Sequence, residues 1–118
     1  MDDKISDHLA ELSVRQLNSR RRRAVEALPD LGAVLHGSVI SQGRRCGKEG
    51  CRCGRGELHG PYVYLSVGRG QGPSRLVYVP SLLADEVRRR VGLGDTVEAA
   101  LAEISALNLE LLRRRKLT

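Results

Sequence analysis

Three cysteines and one histidine that lie within 14 residues constrain the fold of this chain more than any other feature. They are Cys46, Cys51, Cys53 and His59, in the spacing C-x4-C-x-C-x5-H. Thiolate sulfur and imidazole nitrogen are ligands that Zn²⁺ prefers, and it takes four of them in a tetrahedron. Four ligands from so short a segment can reach one ion only if the backbone turns repeatedly, and the five glycines between residues 47 and 60 permit such turns. The sequence therefore predicts a zinc site on these four residues.

The predicted metal site is structural, because three thiolates and one imidazole leave no open position for water or substrate. Basic residues around the loop favour thiolate over thiol and so assist metal uptake near neutral pH. The chain has no Trp or Phe and only three Tyr, so its core must be built mainly from Leu, Val and Ala. Metal binding contributes on the order of 10 kcal/mol to the folding of small zinc modules, and we expect it to compensate here.

Other interpretations of the cysteine cluster stay open at this stage. Cys51 and Cys53 could act as a redox couple, and an iron–sulfur site is a further alternative, although such sites usually take four cysteines. His36 could replace His59 as the fourth ligand. His8 falls in a predicted helix, and we expect it at the surface.

Hydrophobic periodicity predicts an α+β fold in a single domain, residues 1–118. A long amphipathic helix is expected over residues 3–28, ended by Pro29 and Asp30. Residues 38–41 could form a short strand. Two runs of β-branched and aromatic residues, at 62–67 and 75–79, are separated by a glycine-rich loop and predict a β-hairpin or small antiparallel sheet.

Two C-terminal helices are expected after the hairpin. Ser81 is the expected N-cap of the first, which covers residues 82–91. Gly92 and Gly94 are expected to break the helical run, since glycine is a poor helix former. Asp95 is then the expected N-cap of the final helix.

The predicted domain therefore has three parts: the N-terminal helix in residues 1–30, the zinc loop and hairpin in 37–80, and the C-terminal helices in 81–116. Three leucines of the last helix, or just beyond it, lie off its main apolar stripe: Leu109, Leu112 and Leu117. They could meet a second chain, as in a homodimer, or pack on the N-terminal helix of the same chain.

Positive charge is concentrated in two blocks of the sequence. Lys and Arg number 20 against 14 Asp and Glu, a formal net charge of +6, and residues 20–23 are four consecutive arginines. Residues 41–56 contain five basic residues against one glutamate. A solvated helix face is the alternative for the arginine runs, but the blocks favour binding to phosphates, with DNA expected more than RNA. The expected nucleic-acid contacts are Arg20, Arg21, Arg22, Arg23, Arg44, Arg45, Lys48, Arg52, Arg55, Tyr62 and Tyr64.

The tyrosines have two interpretations. Strand alternation puts Tyr62 and Tyr64 on one face, opposite Val63 and Leu65. Beside a basic loop they could stack on unpaired bases. The alternative, that they are half-buried supports of the sheet, is favoured by the lack of Trp and Phe elsewhere in the chain.

Neither a secretory signal nor a membrane span is evident. The first seven residues are acidic and lack the basic and apolar regions of a signal peptide, and no apolar run reaches the length of a bilayer. We therefore expect a cytoplasmic protein with reduced cysteines and no membrane contact. Because there is no nucleophile–base pair, phosphate-binding glycine loop or open metal position, we do not expect an enzyme.

The string C-G-K-x-G-C-x-C-x-x-G-x-x-H-G-P-Y, with the later Y-V-P and L-N-x-E-L-L-R-R-R, resembles a family of small, uncharacterised bacterial proteins. The resemblance covers about residues 37–115. It implies a zinc-binding segment on the same four residues and company with mobile-element genes, and it brings no assigned activity. Glu49, Gly54 and Val63 stand where the family pattern often has proline, alanine and an aromatic residue. The departure at Val63 weakens a stacking argument built on that strand.

Two functional hypotheses follow. The first is a small zinc-stabilised protein that binds nucleic acid, most simply DNA, as an accessory to a mobile element. The second is a protein–protein adaptor or small subunit that docks on a larger nucleic-acid enzyme through its zinc loop and C-terminal helix.

Overall fold

The computed structural model describes residues 8–68 and 75–117. From residue 14 onward the described helices and strands come in this order: α1 Val14–Glu26, β1 Ser38–Arg44, β2 His59–Val67, β3 Arg75–Val79 and α2 Ala84–Arg113. Short 3-10 turns occur at Leu31–Ala33, Arg52–Arg55 and Ser81–Leu83. This mixture of helices with an antiparallel sheet confirms the α+β prediction, and the chain divides into two compact units.

The first unit, residues 33–94, contains the sheet and the cysteine segment. The strands are antiparallel in the order β1-β2-β3, and one row of the register joins Ile40 to Tyr64 and Tyr64 to Tyr78. The predicted hairpin is therefore confirmed, with β1 added at its edge. Residues 45–58, which connect β1 to β2, leave the sheet and hold all three cysteines.

One face of the sheet carries the core of this unit. Leu65 and Val79 from the strands are buried together with Ala84 and Val91 from the start of α2, and Val63 packs against them. The alternate residues of the strands, among them the three tyrosines, lie on the opposite face. The buried aliphatic side chains of the strands, Leu65 and Val79, thus lie on one face of the sheet and the tyrosines on the other.

The second unit is helical and comprises the described residues before 33 and after 94. Its core contains Leu9, Leu17, Ala106, Leu107 and Leu111. Within residues 8–68 and 75–117, no helix combines the length and apolarity needed to cross a membrane.

The prediction of one continuous N-terminal helix is wrong. Residues 8 and 9 are helical, residues 10–12 form a turn, and Ser13 begins α1 as its N-cap. The Gln16 backbone N–H donates to Ser13 Oγ at 3.1 Å, and the Ser13 N–H donates to Gln16 Oε1 at 2.8 Å. This reciprocal capping satisfies donors that a continuous helix would have used internally. Residues 1–7 of the predicted helix lie outside the described residues.

Two carbonyls at the turn also accept hydrogen bonds from a side chain of α2. The Arg114 guanidinium donates to the backbone oxygens of Leu9 at 3.0 Å and Leu12 at 2.6 Å. It also donates to Glu110 Oε2 at 2.7 Å, which fixes its orientation. A long-range side-chain contact therefore stabilises the interruption between residue 9 and α1.

The predicted break between two C-terminal helices is also wrong, because α2 continues through Gly92, Gly94 and Asp95. A Cβ at Gly94 would overlap the carbonyl oxygen of Leu35, so this glycine allows a close backbone approach. Packing of the helix start on the sheet offsets the roughly 1 kcal/mol by which each glycine disfavours a helix. Ser81 does not cap α2 but lies in a 3-10 turn.

Candidate metal centre

The cysteine segment closes on itself because both of its ends are fixed in the sheet. Arg44, the last residue of β1, pairs with His59, the first residue of β2. Between them the backbone enters the left-handed region at Gly47, with φ 76°, and Gly50, with φ 78°. Side chains rarely adopt this conformation, and glycine does so without steric cost. The resulting turns direct the cysteines back toward His59.

The four predicted ligands lie together. One sulfur or nitrogen atom from each of Cys46, Cys51, Cys53 and His59 is within 4.8 Å of every other. The Cys46 and Cys53 sulfurs are 3.6 Å apart, and Cys51 Sγ lies 3.1 Å from His59 Nε2. Around Zn²⁺, ligand atoms of a regular tetrahedron are separated by roughly 3.5–3.8 Å, given metal–ligand bonds of about 2.0–2.3 Å. The group therefore fits a single metal ion.

The sulfurs are free thiols in this arrangement. A disulfide requires about 2.05 Å between sulfurs, far less than the 3.6 Å between Cys46 and Cys53. His36, the alternative fourth ligand, is not part of the four-residue group, which His59 completes. His8 is exposed, in agreement with its expected surface position.

Backbone N–H groups polarise the thiols unequally. The N–H of Cys46 donates to Cys53 Sγ at 3.3 Å, and this bond is the main reason that the pKa of Cys53 is lowered to about 7. The N–H of Lys48 donates to Cys46 Sγ at 3.4 Å and lowers the pKa of Cys46. Nevertheless the neighbouring thiols of Cys51 and Cys53, together with burial, leave the pKa of Cys46 raised overall. Of Cys46 and Cys53, the buried Cys53 is thus the thiol that ionises more readily.

Exposed cations lie next to the candidate ligands in the chain. Arg45, Lys48 and Arg55 are exposed, and Arg52 makes only a long 3.9 Å ion pair with Glu57 at the surface. Arg44 has a defined position, because its Nε–H donates to the Tyr64 hydroxyl at 3.0 Å. Its guanidinium carbon lies 4.7 Å from the Tyr64 ring centroid, a cation–π contact.

The tyrosines form a continuous aromatic face. Tyr78 contacts Tyr64 and Tyr62 edge-on, with ring centroids 5.9 Å and 6.4 Å apart. Tyr62 and Tyr78 are exposed and Tyr64 is half-buried. Tyr78 was not among the expected nucleic-acid contacts. The register of the predicted hairpin, which places Tyr78 opposite Tyr64, is the signal that would have identified it.

The arginines of residues 20–23 belong to the helical unit and are partly engaged within it. Arg20 pairs with Glu103 at 3.2 Å, and Arg21 donates to Asn108 Oδ1 at 2.7 Å. Arg22 and Arg23 are exposed, with Arg22 4.0 Å from Glu26. The repulsion expected among four adjacent cations is therefore relieved by side chains of α2.

Comparison with known proteins identifies the family of the chain. A family model described as a domain of unknown function, DUF6788, matches residues 14–89. The chain belongs to this family. The DUF6788 match covers α1, the whole sheet, the cysteine loop and the start of α2, which confirms the expected kinship with an uncharacterised family. No curated protein and no solved structure matches the chain.

Proposed function

We propose that this DUF6788 protein is a zinc-stabilised nucleic-acid-binding protein of the cytoplasm, with DNA as its ligand. One observation carries the proposal. Arg44 pairs in the sheet with His59, a candidate metal ligand, and contacts Tyr64 on the exposed aromatic face. A metal held by the loop would therefore stiffen the segment that presents both cations and aromatic rings.

Zinc is the metal that this donor set favours. Soft thiolate ligands with one imidazole select zinc over the oxygen-seeking ions Mg²⁺ and Ca²⁺. The chain has three cysteines, one fewer than an iron–sulfur cluster usually takes. Cys46, Cys51, Cys53 and His59 would fill all four positions, so the ion would supply rigidity rather than catalysis.

The charge of the loop supports a polyanionic ligand. Five basic side chains surround the centre, and Glu49 and Glu57 are the acidic residues of the segment. Nucleic acids presenting phosphates to such a surface release counterions, and this release supplies most of the non-specific affinity. The resemblance to proteins that accompany mobile elements favours DNA and an accessory role there.

A salt series tests this proposal. The zinc-loaded protein is titrated with labelled DNA at about 50–300 mM salt, and log Kd is expected to rise linearly with log salt. Reversal of Arg44, Arg45, Arg52 and Arg55 to glutamate should abolish binding at the lowest salt. A control reverses four exposed cations elsewhere, with the same change in net charge: Arg15, Arg88, Arg113 and Lys116. Equal losses in the two variants would refute an interface at the loop.

A second candidate function is docking on a protein. Leu101 and Leu112, three helical turns apart on the same side of α2, are 64% and 55% exposed and present apolar surface there. They could contact a second copy or a larger nucleic-acid enzyme. Light scattering over a range of concentrations, repeated with Leu101→Glu, tests the homodimer. A monomer at every concentration counts against that form of docking.

A further inference from the structure

We infer that the sheet binds single-stranded rather than double-stranded nucleic acid, with bases stacked on Tyr62 and Tyr78. This inference rests on the proposed function and specifies its substrate class. It adds Tyr78 to the site and gives different roles to the three tyrosines.

The first argument is the exposure of two rings on a face that has no part in the core. Tyr62 and Tyr78 are 38% and 55% exposed, while Leu65 and Val79 pack on the opposite face. Each of the two rings meets a neighbouring tyrosine edge-on, at interplanar angles of 70° and 68°. An edge-to-face contact holds both rings in place and covers only one face of one of them, and the exposure of Tyr62 and Tyr78 shows that ring surface stays open to solvent. Such fixed, amphipathic rings are suited to stacking on a base.

The second argument is that Tyr64 is already engaged. The Arg44 guanidinium covers its ring, and its hydroxyl accepts a hydrogen bond from Arg44 Nε–H. Tyr64 is therefore a positioning residue that holds a planar cation beside the two open rings. Arg44 in that place can meet a phosphate of a strand whose bases lie on Tyr62 and Tyr78.

The third argument concerns the nucleic acid. Bases in a duplex stack on one another, so a side chain reaches their faces only by unstacking a base step. An unpaired strand offers every base face without this cost, and aromatic side chains beside a basic groove bind it with little sequence preference. Exposed rings beside Arg44, on a sheet whose β1–β2 connection carries four further cations, match this ligand better than a double helix.

The chain offers a direct probe of stacking. It has no Trp, and its three tyrosines all lie on this face, so all tyrosine emission reports on it. The zinc-loaded full chain is titrated with a 20-nucleotide DNA strand, its RNA equivalent, the corresponding DNA duplex and an abasic strand of equal length. The abasic strand keeps the phosphates and lacks the bases.

We expect the base-containing strands to quench tyrosine emission and to bind at least about 10-fold more tightly than the duplex or the abasic strand. Such quenching and tighter binding by either the DNA strand or the RNA strand supports the inference. The strand with the lower Kd shows whether DNA or RNA is preferred. Tyr78→Leu should weaken binding by about 5-fold or more. Tyr78→Phe should retain affinity because it keeps a ring, and Leu76→Ala, on the same strand and face, should have little effect.

The binding results distinguish failure of this inference from failure of the proposed function. Equal affinity for strand, duplex and abasic strand, with emission unchanged, would overturn stacking while leaving nucleic-acid binding intact. Absence of binding to all four probes would overturn both. Thermal melting of each variant separates loss of a contact from loss of the fold: a Tyr78→Leu protein that melts normally and binds normally also overturns the inference.

Discussion

Arg44 of β1 pairs with His59 of β2 in the antiparallel sheet. The cation that covers the Tyr64 ring and a candidate metal ligand are therefore cross-strand neighbours. This pair closes the loop of residues 45–58, and every candidate ligand lies in that loop or at its end. The metal centre and the proposed binding face are thus adjacent in the chain and in the sheet.

The metal centre is expected to contain one zinc ion, and Cys51→Ser should lose both the ion and cooperative unfolding. The reason is that structural zinc contributes on the order of 10 kcal/mol, comparable with the stability of a whole domain. Native mass spectrometry measures the metal and thermal melting measures cooperativity. His59→Ala should behave in the same way, whereas His36→Gln, outside the cluster, should keep the metal. A sharp melt in metal-free Cys51→Ser would contradict a structural role.

The contact between Arg44 and Tyr64 is expected to act on binding rather than on folding. Tyr64→Phe removes the hydroxyl that accepts from Arg44 Nε–H and should weaken binding of a single strand by about 2- to 10-fold, the range for one hydrogen bond. In an Arg44→Ala background the same change should have no further effect. Equal losses in both backgrounds would show that Tyr64 acts independently of Arg44. The melting temperature of Tyr64→Phe should be unchanged.

Two glycines of α2 provide a matched pair of substitutions. Gly94→Ala should destabilise the protein by about 1–3 kcal/mol, because the added Cβ would overlap the Leu35 carbonyl oxygen. Gly92→Ala should stabilise it by up to about 1 kcal/mol, since a Cβ there meets no atom within 4 Å and alanine favours helix. Denaturant unfolding measures both. A stabilising Gly94→Ala would show that the approach of Leu35 does not require glycine.

Glu86 should give the protein an acid-sensitive contribution to stability. Hydrogen bonds from Arg89 at 2.7 Å and Arg90 at 2.9 Å lower the pKa of this carboxyl from 4.5 to about 2. A lowered pKa means that the carboxylate stabilises the fold fully above about pH 4.5 and loses this effect as the pH falls through 2.

The measurement for Glu86 is the difference in unfolding free energy between the natural protein and Glu86→Gln as a function of pH. The variant should be less stable near neutral pH, and the difference should vanish toward pH 2. Asp85→Asn is the control, because Asp85 forms a long 3.6 Å surface pair with Arg88, and such pairs contribute little. A difference that is constant with pH would contradict the role of the carboxylate.

The sequence predicted the features that depend on local spacing. The grouping of the four candidate ligands, the hairpin and the α+β class follow from ligand chemistry, alternation and turn residues over short segments. The helix boundaries depend on distant partners and were therefore missed. Arg114, about a hundred residues from Leu9 and Leu12, stabilises the interruption before Ser13, and Leu35 explains the glycine at 94. Tyr78 was missed because its significance depends on cross-strand register.

The pairing of Arg44 with His59 makes the cysteine loop a self-contained insertion in a hairpin. Because the ion is expected to supply stability comparable with that of the whole domain, exchange of the loop for a short turn would remove the thiols and that stability together. The three tyrosines would then depend on a loop that contains none of them.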